Sequence, residues 1–388
     1  MAAKTPENHA AWISKAKGPL SISPAPYTPP GPDQVVVRVH AIAMNLIDWM
    51  KQEVGDMMYG WIKYPFILGN DVAGEIVEVG TKVQKSGQFR PGQRVTGLAL
   101  GMDSRSAKAA EGGFQEYVVL RSNSVSAIPD DMAYEKACVL PLCLSTAASG
   151  LFCDKYLALN HPSVENYIHK AGAGDVVVVW GASTAVGMNA VQLLVAAGYR
   201  VVATAGVHNF DTIRGLGATE VFSYRSKTCV KEIVDAVGRL TSDGRTKCGG
   251  AMAIGEASIK PCIEILATCC KGSERKFVAS MSMDGPAKMA PGAFGMVSFL
   301  AKMVWAQITT LVKKTMKGVT VQFVWGTELV DSDVAKVVYS DFLPAALASG
   351  RFVPMPEPQV IGQGLEKVQE AFEVGKKGVS AKKIVITL

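Results

Sequence analysis

The stretch VVVVWGASTAVG, residues 176–187, constrains the fold of this 388-residue chain more than any other. A run of valines is typical of a parallel strand buried on both faces, and a glycine-punctuated turn leads such a strand into a dinucleotide-binding helix. The usual turn reads G-x-G-x-x-G, but its first two glycine positions are here Ala182 and Thr184, and only Gly187 remains. The turn therefore raises the question of how it would hold a phosphate.

The pattern of strands and helices changes along the chain. From about residue 20 to 130, short β-type runs alternate with Gly, Pro and Asp turns, which indicates a β-rich unit. From about 175 to 345, strand and helix patterns alternate, as in a parallel doubly wound sheet. The final KKIVITL is strand-like and is able to rejoin the first unit. We therefore predict an α/β protein with a discontinuous β-rich catalytic domain, 1–150 and 350–388, and a dinucleotide-binding domain, 151–349.

Composition and charge argue against several classes of protein. With 48% hydrophobic and 19% charged residues, the chain is typical of folded rather than disordered proteins. The net charge is +6 without a block of five like charges, so neither a nucleic-acid nor a membrane partner is predicted. The N-terminal MAAKTPENHAAW has no apolar core of a signal peptide, and a cytoplasmic location is expected. The apolar run from Phe294 is interrupted by Lys302 and Gln307, which favours a buried or lid-forming helix over a membrane span.

Six motifs occur in an order that points to one superfamily. They are LGNDVAGEIVEVG (68–80), PGQRV (91–95), GGFQEYVV (112–119), LPLCLSTA (140–147), GASTAVG (181–187) and LGATEVFSYR (216–225). In this order they resemble the medium-chain dehydrogenase/reductase superfamily over nearly the whole chain. The resemblance implies a Rossmann domain with a doubly wound parallel sheet and a β-rich GroES-like catalytic domain. GASTAVG followed by HNFDTIRGLGATEVFSYR is most similar to the trans-acting enoyl reductases of fungal polyketide synthases.

The resemblance also bears on metal. Zinc-dependent members carry a cysteine before the Asp of the first catalytic segment and a G-H-E motif after it, because a catalytic zinc needs three protein ligands. This chain has MNLIDWM and LGNDVAG, so Asn45 and Leu46 provide no thiolate and Asn70 stands at the position of the histidine. The four-cysteine structural lobe is absent as well, because the first cysteine is Cys138. We predict no metal site, as in the zinc-independent, quinone-reductase-like branch.

The second strand of the predicted parallel sheet favours NADPH as the cofactor. An NAD site places an Asp or Glu at the end of this strand, where it bonds the ribose hydroxyls. In VVATAGVHNFD, residues 201–211, no acid occurs before Asp211. By the resemblance, Arg214 and Tyr224 occupy the positions of a basic residue and a tyrosine near the 2′-phosphate.

The unusual turn keeps two means of holding the pyrophosphate. The N-terminus of the following helix offers N–H groups, and Ser183 and Thr184 add hydroxyls that either bond the phosphate or only cap the helix. Gly187 lets strand and helix approach closely. The predicted cofactor residues are Ser183, Thr184, Ala185, Val186, Gly187, Gly206, Val207, His208, Asn209, Arg214, Tyr224, Ser280, Val379 and Ser380.

The chemistry that needs no metal is reduction of an activated C=C bond. Hydride from the nicotinamide adds to the β-carbon of an enoyl thioester, enone or quinone, and hydroxyls or N–H groups hold the developing enolate. By the resemblance, Thr146, Asp48 and Lys51 lie at the nicotinamide end and are the candidate catalytic residues. Each has a structural alternative: Asp48 caps a helix, Lys51 is solvated, or Thr146 bonds only the nicotinamide amide. The predicted substrate contacts are Ala147, Ser149, Leu151 and Phe152.

Three functions stay open at this point: an NADPH-dependent enoyl reductase acting on a polyketide or acyl chain, a free-standing quinone or alkenal reductase, and an NADPH-binding protein without turnover. In the first, the substrate is a small molecule or is bound to a carrier protein, with a polyketide synthase as partner. The extra stretches 154–174 and 281–311 either line an acyl tunnel or bind nothing. Two lysine groups either dock an acidic carrier protein or lie in solvent: Lys313, Lys314 and Lys317, and Lys376, Lys377, Lys382 and Lys383.

Overall fold

The structure is a computed structural model, and it describes residues 6–165, 174–270, 275–282 and 293–388. The proposed tunnel segments 154–174 and 281–311 lie partly outside these residues. The chain divides into two compact units, and each is described by itself: Met1–Ser145 with Ala335–Leu388, and Thr146–Val334.

The strands and helices are numbered in chain order. The strands are β1 (Asn8–Ile13), β2 (Leu20–Ala25), β3 (Gln34–Ala43), β4 (Phe66–Ile67), β5 (Asp71–Val79), β6 (Arg94–Leu98), β7 (Tyr117–Arg121), β8 (Val125–Ala127), β9 (Val176–Trp180), β10 (Arg200–Ala205), β11 (Glu220–Ser223), β12 (Cys248–Ala253), β13 (Phe277–Ser280), β14 (Thr320–Phe323), β15 (Glu357–Gln363) and β16 (Lys382–Thr387). The α-helices are α1 (Leu46–Val54), α2 (Thr81–Ser86), α3 (Tyr134–Ala137), α4 (Pro141–Phe152), α5 (Ala185–Ala196), α6 (Phe210–Gly215), α7 (Cys229–Leu240), α8 (Ile259–Cys269), α9 (Ala293–Lys317), α10 (Asp333–Lys336), α11 (Leu343–Ala348) and α12 (Val368–Lys377).

The first unit is built on two sheets. The larger has the strand order β15-β16-β3-β5-β6-β8, with β7 also paired to β3, and the smaller has the order β2-β1-β4. Apart from the parallel pair β15–β16, these pairings are antiparallel. Strand β3 is rich in β-branched residues that pack against both neighbours, and Val35, Val37 and Ile42 are fully buried in the core. Strand β16 pairs with β3, so the C-terminal segment completes this sheet.

The second unit is a parallel sheet with the order β11-β10-β9-β12-β13-β14. Helices follow the strands in alternation, as the sequence pattern predicts. Val176, Val177, Val178 and Val179 of β9 are all fully buried, because this central strand has strand neighbours on both sides and is covered on both faces. The predicted fold class, a Rossmann sheet with a separate GroES-like β-rich domain, is confirmed.

The apolar run from Phe294 forms α9. Of the two predicted forms, the buried helix is wrong for the part whose side chains are described, because Trp305 is 68% and Leu311 is 55% exposed, and the lid-forming helix stays a prediction. Over the described ranges, no helix has both the length and the apolar character that crossing a membrane requires.

Candidate active site

The turn after β9 depends on two glycines. Gly181 has a φ of 88°, and a Cβ there would collide with the carbonyl oxygen of Ile254. A Cβ at Gly187 would collide with the carbonyl oxygen of Gly181. Both contacts are with backbone, which cannot move aside, so Gly181 lets the turn pass the segment after β12 and Gly187 lets α5 approach the end of β9.

Thr184 is the N-cap of α5. Its hydroxyl accepts a hydrogen bond from the N–H of Gly187 at 3.0 Å and donates one to the carbonyl of Gly181 at 2.8 Å. The Thr184 hydroxyl therefore caps the helix in this structure, and its predicted bond to the pyrophosphate stays a prediction. In the first turn of α5, the N–H groups of Ala185 and Val186 have no intrahelical carbonyl to bond, which is the general feature by which helix N-termini bind phosphate.

The turn lies against the end of β10. The N–H of Gly181 donates to the Thr204 hydroxyl at 3.0 Å, and the N–H of Ala182 donates to the Thr204 carbonyl at 2.8 Å. The segment after β10 contains no acid before Asp211, whose exposed carboxylate pairs with Arg214 at 3.3 Å. Arg214, which the sequence places near the 2′-phosphate, is therefore paired with an acidic neighbour on the same helix.

The parallel sheet brings most predicted cofactor residues to one edge, because the carboxyl ends of its strands coincide there. Residues 183–187 follow β9, residues 206–209 follow β10, Tyr224 follows β11 and Ser280 ends β13. Strand order changes direction between β9 and β12, which is where open α/β sheets bind their ligands. Tyr224 is 42% exposed, and the guanidinium of Arg225 lies 5.2 Å from its ring centroid. Val379 and Ser380 lie between α12 and β16 in the first unit, so they are not at this edge of the parallel sheet. Their cofactor contact stays a prediction.

Helix α4 carries Thr146 and the predicted substrate contacts. Thr146 is half-buried, whereas Ala147 and Leu151 are fully buried and Phe152 is 2% exposed. The Ser149 hydroxyl is used within the second unit, where it accepts from the N–H of Leu329 at 3.1 Å.

Asp48 lies in the first turn of α1 and is fully buried. Its Oδ2 accepts from the N–H of Asn45 at 2.8 Å, the bond by which an acid at this position caps a helix. Its Oδ1 has no hydrogen-bond partner in the part of the chain that the structure describes. Burial raises the pKa of Asp48 to about 8, and the bond from Asn45 opposes the shift only in part. Burial therefore favours the neutral form of the Asp48 carboxyl.

Lys51 lies one turn further along α1, and its side chain is fully buried rather than solvated. Its ammonium donates to the carbonyls of Gly55, Met58 and Tyr59 at 3.1, 2.9 and 3.3 Å and pairs with Asp56 at 3.2 Å. We call these five residues the Lys51 cluster. The ammonium is saturated by the loop after α1, which gives Lys51 a structural role.

A second buried lysine forms the centre of what we call the Lys383 cluster: Asn45, Asp71, Cys143 and Lys383. The Lys383 ammonium donates to Asn45 Oδ1 at 2.6 Å and to Cys143 Sγ at 3.3 Å, and it pairs with Asp71 Oδ2 at 2.9 Å. Asn45 Nδ2 donates to Asp71 Oδ2 at 3.0 Å, and the N–H of Leu142 donates to Asp71 Oδ1 at 2.6 Å. The Lys383 and Asp71 side chains are only 5% and 0% exposed. Four elements therefore meet at one enclosed ion pair.

The physical state of this ion pair follows from its surroundings. Burial by itself lowers the pKa of Lys383, but the charge of Asp71 and the contact with Cys143 raise it above its ordinary value. For the Cys143 thiol, burial has the opposite effect and raises the pKa, because it disfavours the charged thiolate. The charge of Lys383 opposes that shift only in part. Lys383 is therefore charged and Cys143 is a thiol at neutral pH.

Sequence reasoning missed this cluster. The prediction that Lys383 belongs to a basic surface group is wrong, because its side chain points inward from β16 while its neighbour Lys382 is exposed. Lys313 pairs with Glu264, and Lys376 pairs with Glu53 and Glu373, which weakens both groups as docking surfaces. The LGNDVAG motif contains Asp71, but nothing in KKIVITL distinguishes an inward lysine from an outward one.

The comparisons with known proteins agree with this fold. A model of the alcohol dehydrogenase GroES-like domain matches residues 31–130. The dehydrogenase pigH of Monascus ruber is 43% identical over 384 residues, covering 99% of this chain and 100% of that protein. The trans-enoyl reductase himH of Aspergillus japonicus is 35% identical over 394 residues, covering 98% and 97%. An alcohol dehydrogenase superfamily protein from Novosphingobium aromaticivorans has the same fold, with a TM-score of 0.69 at 22% identity, covering 98% and 99%.

These relatives span both units, and the second unit is a Rossmann domain of the NAD(P)-binding type. With 43% identity to a dehydrogenase along its whole length, this oxidoreductase belongs to the medium-chain dehydrogenase/reductase superfamily.

Proposed function

We propose that this protein uses NADPH to reduce an activated C=C bond, and that its substrate is the enoyl thioester of a polyketide or acyl chain. The enoyl group is presented on a carrier protein of a polyketide synthase or on a small thiol. The name of the relative himH, a trans-enoyl reductase, supports this substrate class. The relative pigH, which is more similar to this chain than himH is, is named only a dehydrogenase. Its name supports an oxidoreductase and does not specify a substrate.

The observation that carries the proposal is the donor set around Asn45. Asn45 and Asn70 present amides where zinc-dependent members present a thiolate and an imidazole, and the adjacent carboxylate of Asp71 is neutralised by Lys383. These residues do not fit a catalytic zinc. An enoyl thioester does not need a Lewis acid at its reacting carbon, because its own carbonyl delocalises the charge that hydride addition creates.

The residues that take part in the proposed reaction lie in the second unit. Bound NADPH supplies the hydride. The N–H groups at the start of α5 hold its pyrophosphate, and residues 206–209 receive the adenosine ribose and its 2′-phosphate. Because Asp48 and Lys51 are buried, Thr146 is the predicted catalytic residue whose side chain is partly exposed. Its hydroxyl would donate to the nicotinamide amide or to the enolate oxygen.

The cofactor preference is the first prediction. Because the segment after β10 has no carboxylate before Asp211, a 2′-phosphate would meet no repulsion there, and Arg214 is the residue predicted to pair with it. We expect NADPH to bind at least about ten-fold more tightly than NADH, the scale of one charge-assisted hydrogen bond. Fluorescence titration with both nucleotides measures this ratio, and equal affinities would contradict it.

The reaction itself is tested by following NADPH oxidation with three mixtures. Crotonyl-pantetheine represents the enoyl thioester, a naphthoquinone represents the quinone class, and the third mixture contains no acceptor. The proposal expects the largest kcat/KM with the thioester. A preference for the quinone would make the protein a free-standing quinone reductase, and no turnover with either acceptor despite NADPH binding would make it a non-catalytic nucleotide-binding protein.

A further inference from the structure

The Lys383 ammonium has the surroundings of a bound cation. An ammonium carries three N–H donors, and this one meets three acceptors: an amide oxygen of Asn45, a carboxylate oxygen of Asp71 and the sulfur of Cys143, at 2.6, 2.9 and 3.3 Å. The acceptors come from the start of α1, the start of β5 and the first turn of α4. Oxygen and sulfur atoms from distant segments, converging on one positive centre, are also how proteins hold a metal ion.

The cluster includes a position that zinc-dependent members of the superfamily use for their metal. Asn45 stands at the position of a zinc-binding cysteine, and Asp71 follows Asn70, which stands at the position of the histidine. The amide, the carboxylate and the thiol of the cluster are a poor ligand set for zinc. In the described part of the chain, no group of three or more His, Cys, Asp and Glu residues is arranged to hold a metal ion.

The charges inside the cluster are balanced without a metal. Asp71 carries one negative charge, Lys383 carries one positive charge, and both are shielded from water. A divalent cation at this point would meet the ammonium at close range, and like charges so placed repel strongly in a poorly solvated interior.

The cluster also fixes two helix N-termini. Asp71 accepts from the N–H of Leu142 at 2.6 Å, so its carboxylate faces the positive end of the α4 dipole. Asn45 is the N-cap of α1, and its side chain is clamped between Lys383 and Asp71. The first turns of the helices that carry Asp48 and Thr146 are therefore tied to one ion pair.

We propose that Lys383 is a built-in cation: its ammonium takes the place that a metal ion takes in zinc-dependent members, excludes a metal from this chain, and positions the first turns of α1 and α4. Lys383 is thus a positioning residue, and its role does not depend on which acceptor the enzyme reduces.

Metal binding by designed variants tests the exclusion. Asn45→Cys with Asn70→His supplies the missing ligand types while Lys383 stays, and a third change, Lys383→Ala, removes the cation. The matched control is Lys382→Ala on the same double background, because Lys382 is the exposed neighbour on the same strand. Co²⁺ titration followed by thiolate-to-metal absorption reports binding independently of activity.

We expect the Lys383→Ala triple variant to bind Co²⁺ at least about 100-fold more tightly than the double variant and than the Lys382→Ala control, because a repulsion of several kcal/mol is removed. Equal affinities in the double and the Lys383→Ala triple variants would overturn the proposal. A folded Lys383→Ala triple variant that binds no Co²⁺ would overturn it too.

The positioning role is tested with Lys383→Ala alone. Propylammonium fits the truncated side chain and restores the charge, whereas propanol restores only the shape. We expect propylammonium to raise the thermal midpoint of Lys383→Ala, with no effect on wild type or Lys382→Ala. Equal rescue by propanol would show that the lysine only fills space and would overturn the proposal.

If Lys383→Ala does not accumulate as folded protein, a pair of variants decides the question. Lys383→Met leaves the Asp71 charge alone in the interior, and Lys383→Met with Asp71→Asn removes both charges. We expect the double variant to have the higher thermal midpoint, because a lone buried charge is worse than none. Equal midpoints, or a lower one in the double variant, would overturn the proposal.

Discussion

Among the residues that the structure describes, the first unit buries two lysines, and they are buried in different ways. The acceptors of Lys51 lie within eight residues of it along the chain, and three of them are backbone carbonyls. The acceptors of Lys383 include Asn45 and Cys143, which are 338 and 240 residues away. The Lys51 cluster closes one loop, whereas the Lys383 cluster joins elements that only the complete unit brings together.

The counter-charges differ as well. Asp56, beside Lys51, is 59% exposed, whereas Asp71, beside Lys383, is not exposed at all. Water can solvate one partner in the Lys51 cluster and neither partner in the Lys383 cluster. Burial of the counter-charge, more than burial of the lysine, therefore decides how much stability depends on each pair.

The largest effect should come from Asp71→Asn. It leaves the Lys383 ammonium buried without a counter-charge, which should lower the free energy of unfolding by about 3–5 kcal/mol. Asp56→Asn is the matched change in the other cluster, and we expect it to leave the urea midpoint within experimental error. Similar losses in the two variants, measured by urea unfolding followed by circular dichroism, would remove the difference between the clusters.

A smaller effect should come from Lys51→Met. The change leaves the carbonyls of Gly55, Met58 and Tyr59 without their donor but strands no buried charge, so we expect a loss of about 1–3 kcal/mol. Hydrogen exchange should quicken in the loop after α1 and stay unchanged in β5 and β16. Faster exchange throughout the first unit would show that this cluster is not local.

The third prediction concerns pH and Asp48. This residue is buried on α1, and the charges of Asp71 and Lys383 act on its carboxyl group. Its pKa rises from 3.8 to about 8 on folding, so the folded state holds the proton more tightly than the unfolded state. Its contribution to stability is complete below about pH 4 and is lost as pH rises toward 8.

Between about pH 5 and 8, the unfolding free energy of the wild type should therefore fall more steeply than that of Asp48→Asn. The difference in slope should be of the order of 1 kcal/mol per pH unit. Asp56→Asn serves as the control, because the pKa of Asp56 is lowered and its titration is complete below this range. Parallel slopes in wild type and Asp48→Asn would mean that Asp48 is ionised in the folded protein.

Local patterns predicted the fold because they record burial. The valines of β9, the alternation of strands and helices, and the need for glycine at position 187 follow from how a covered parallel strand and its helix pack. The missing acid after β10 is likewise a local feature. Each of these features depends on residues that are close together in the sequence, so the local sequence pattern is sufficient to predict it.

The Lys383 cluster could not be predicted in this way. Its members are spread from position 45 to position 383, and each has an ordinary local explanation: a helix cap, a strand end, a buried thiol and a surface lysine. Only the register of β16 against β3, in which Val385 pairs with Ala43, brings Lys383 to Asn45. Asp48 and Lys51, which the resemblance places at the nicotinamide end, are both buried on α1, and that burial could not be read from the sequence either.

Strand β16 has a consequence for the order of events on the ribosome. Cys143 is synthesised 240 residues before Lys383, which at ordinary elongation rates is a delay of roughly 10 to 50 seconds. During that time Asp71 has no ammonium to pair with, and β3 lacks one of its partner strands. The Rossmann unit is complete in the nascent chain before the unit that precedes it can close. Assembly is therefore not strictly from the N-terminus onward, and residues Ala41–Ala43 of β3 stay without their β16 partners until synthesis ends.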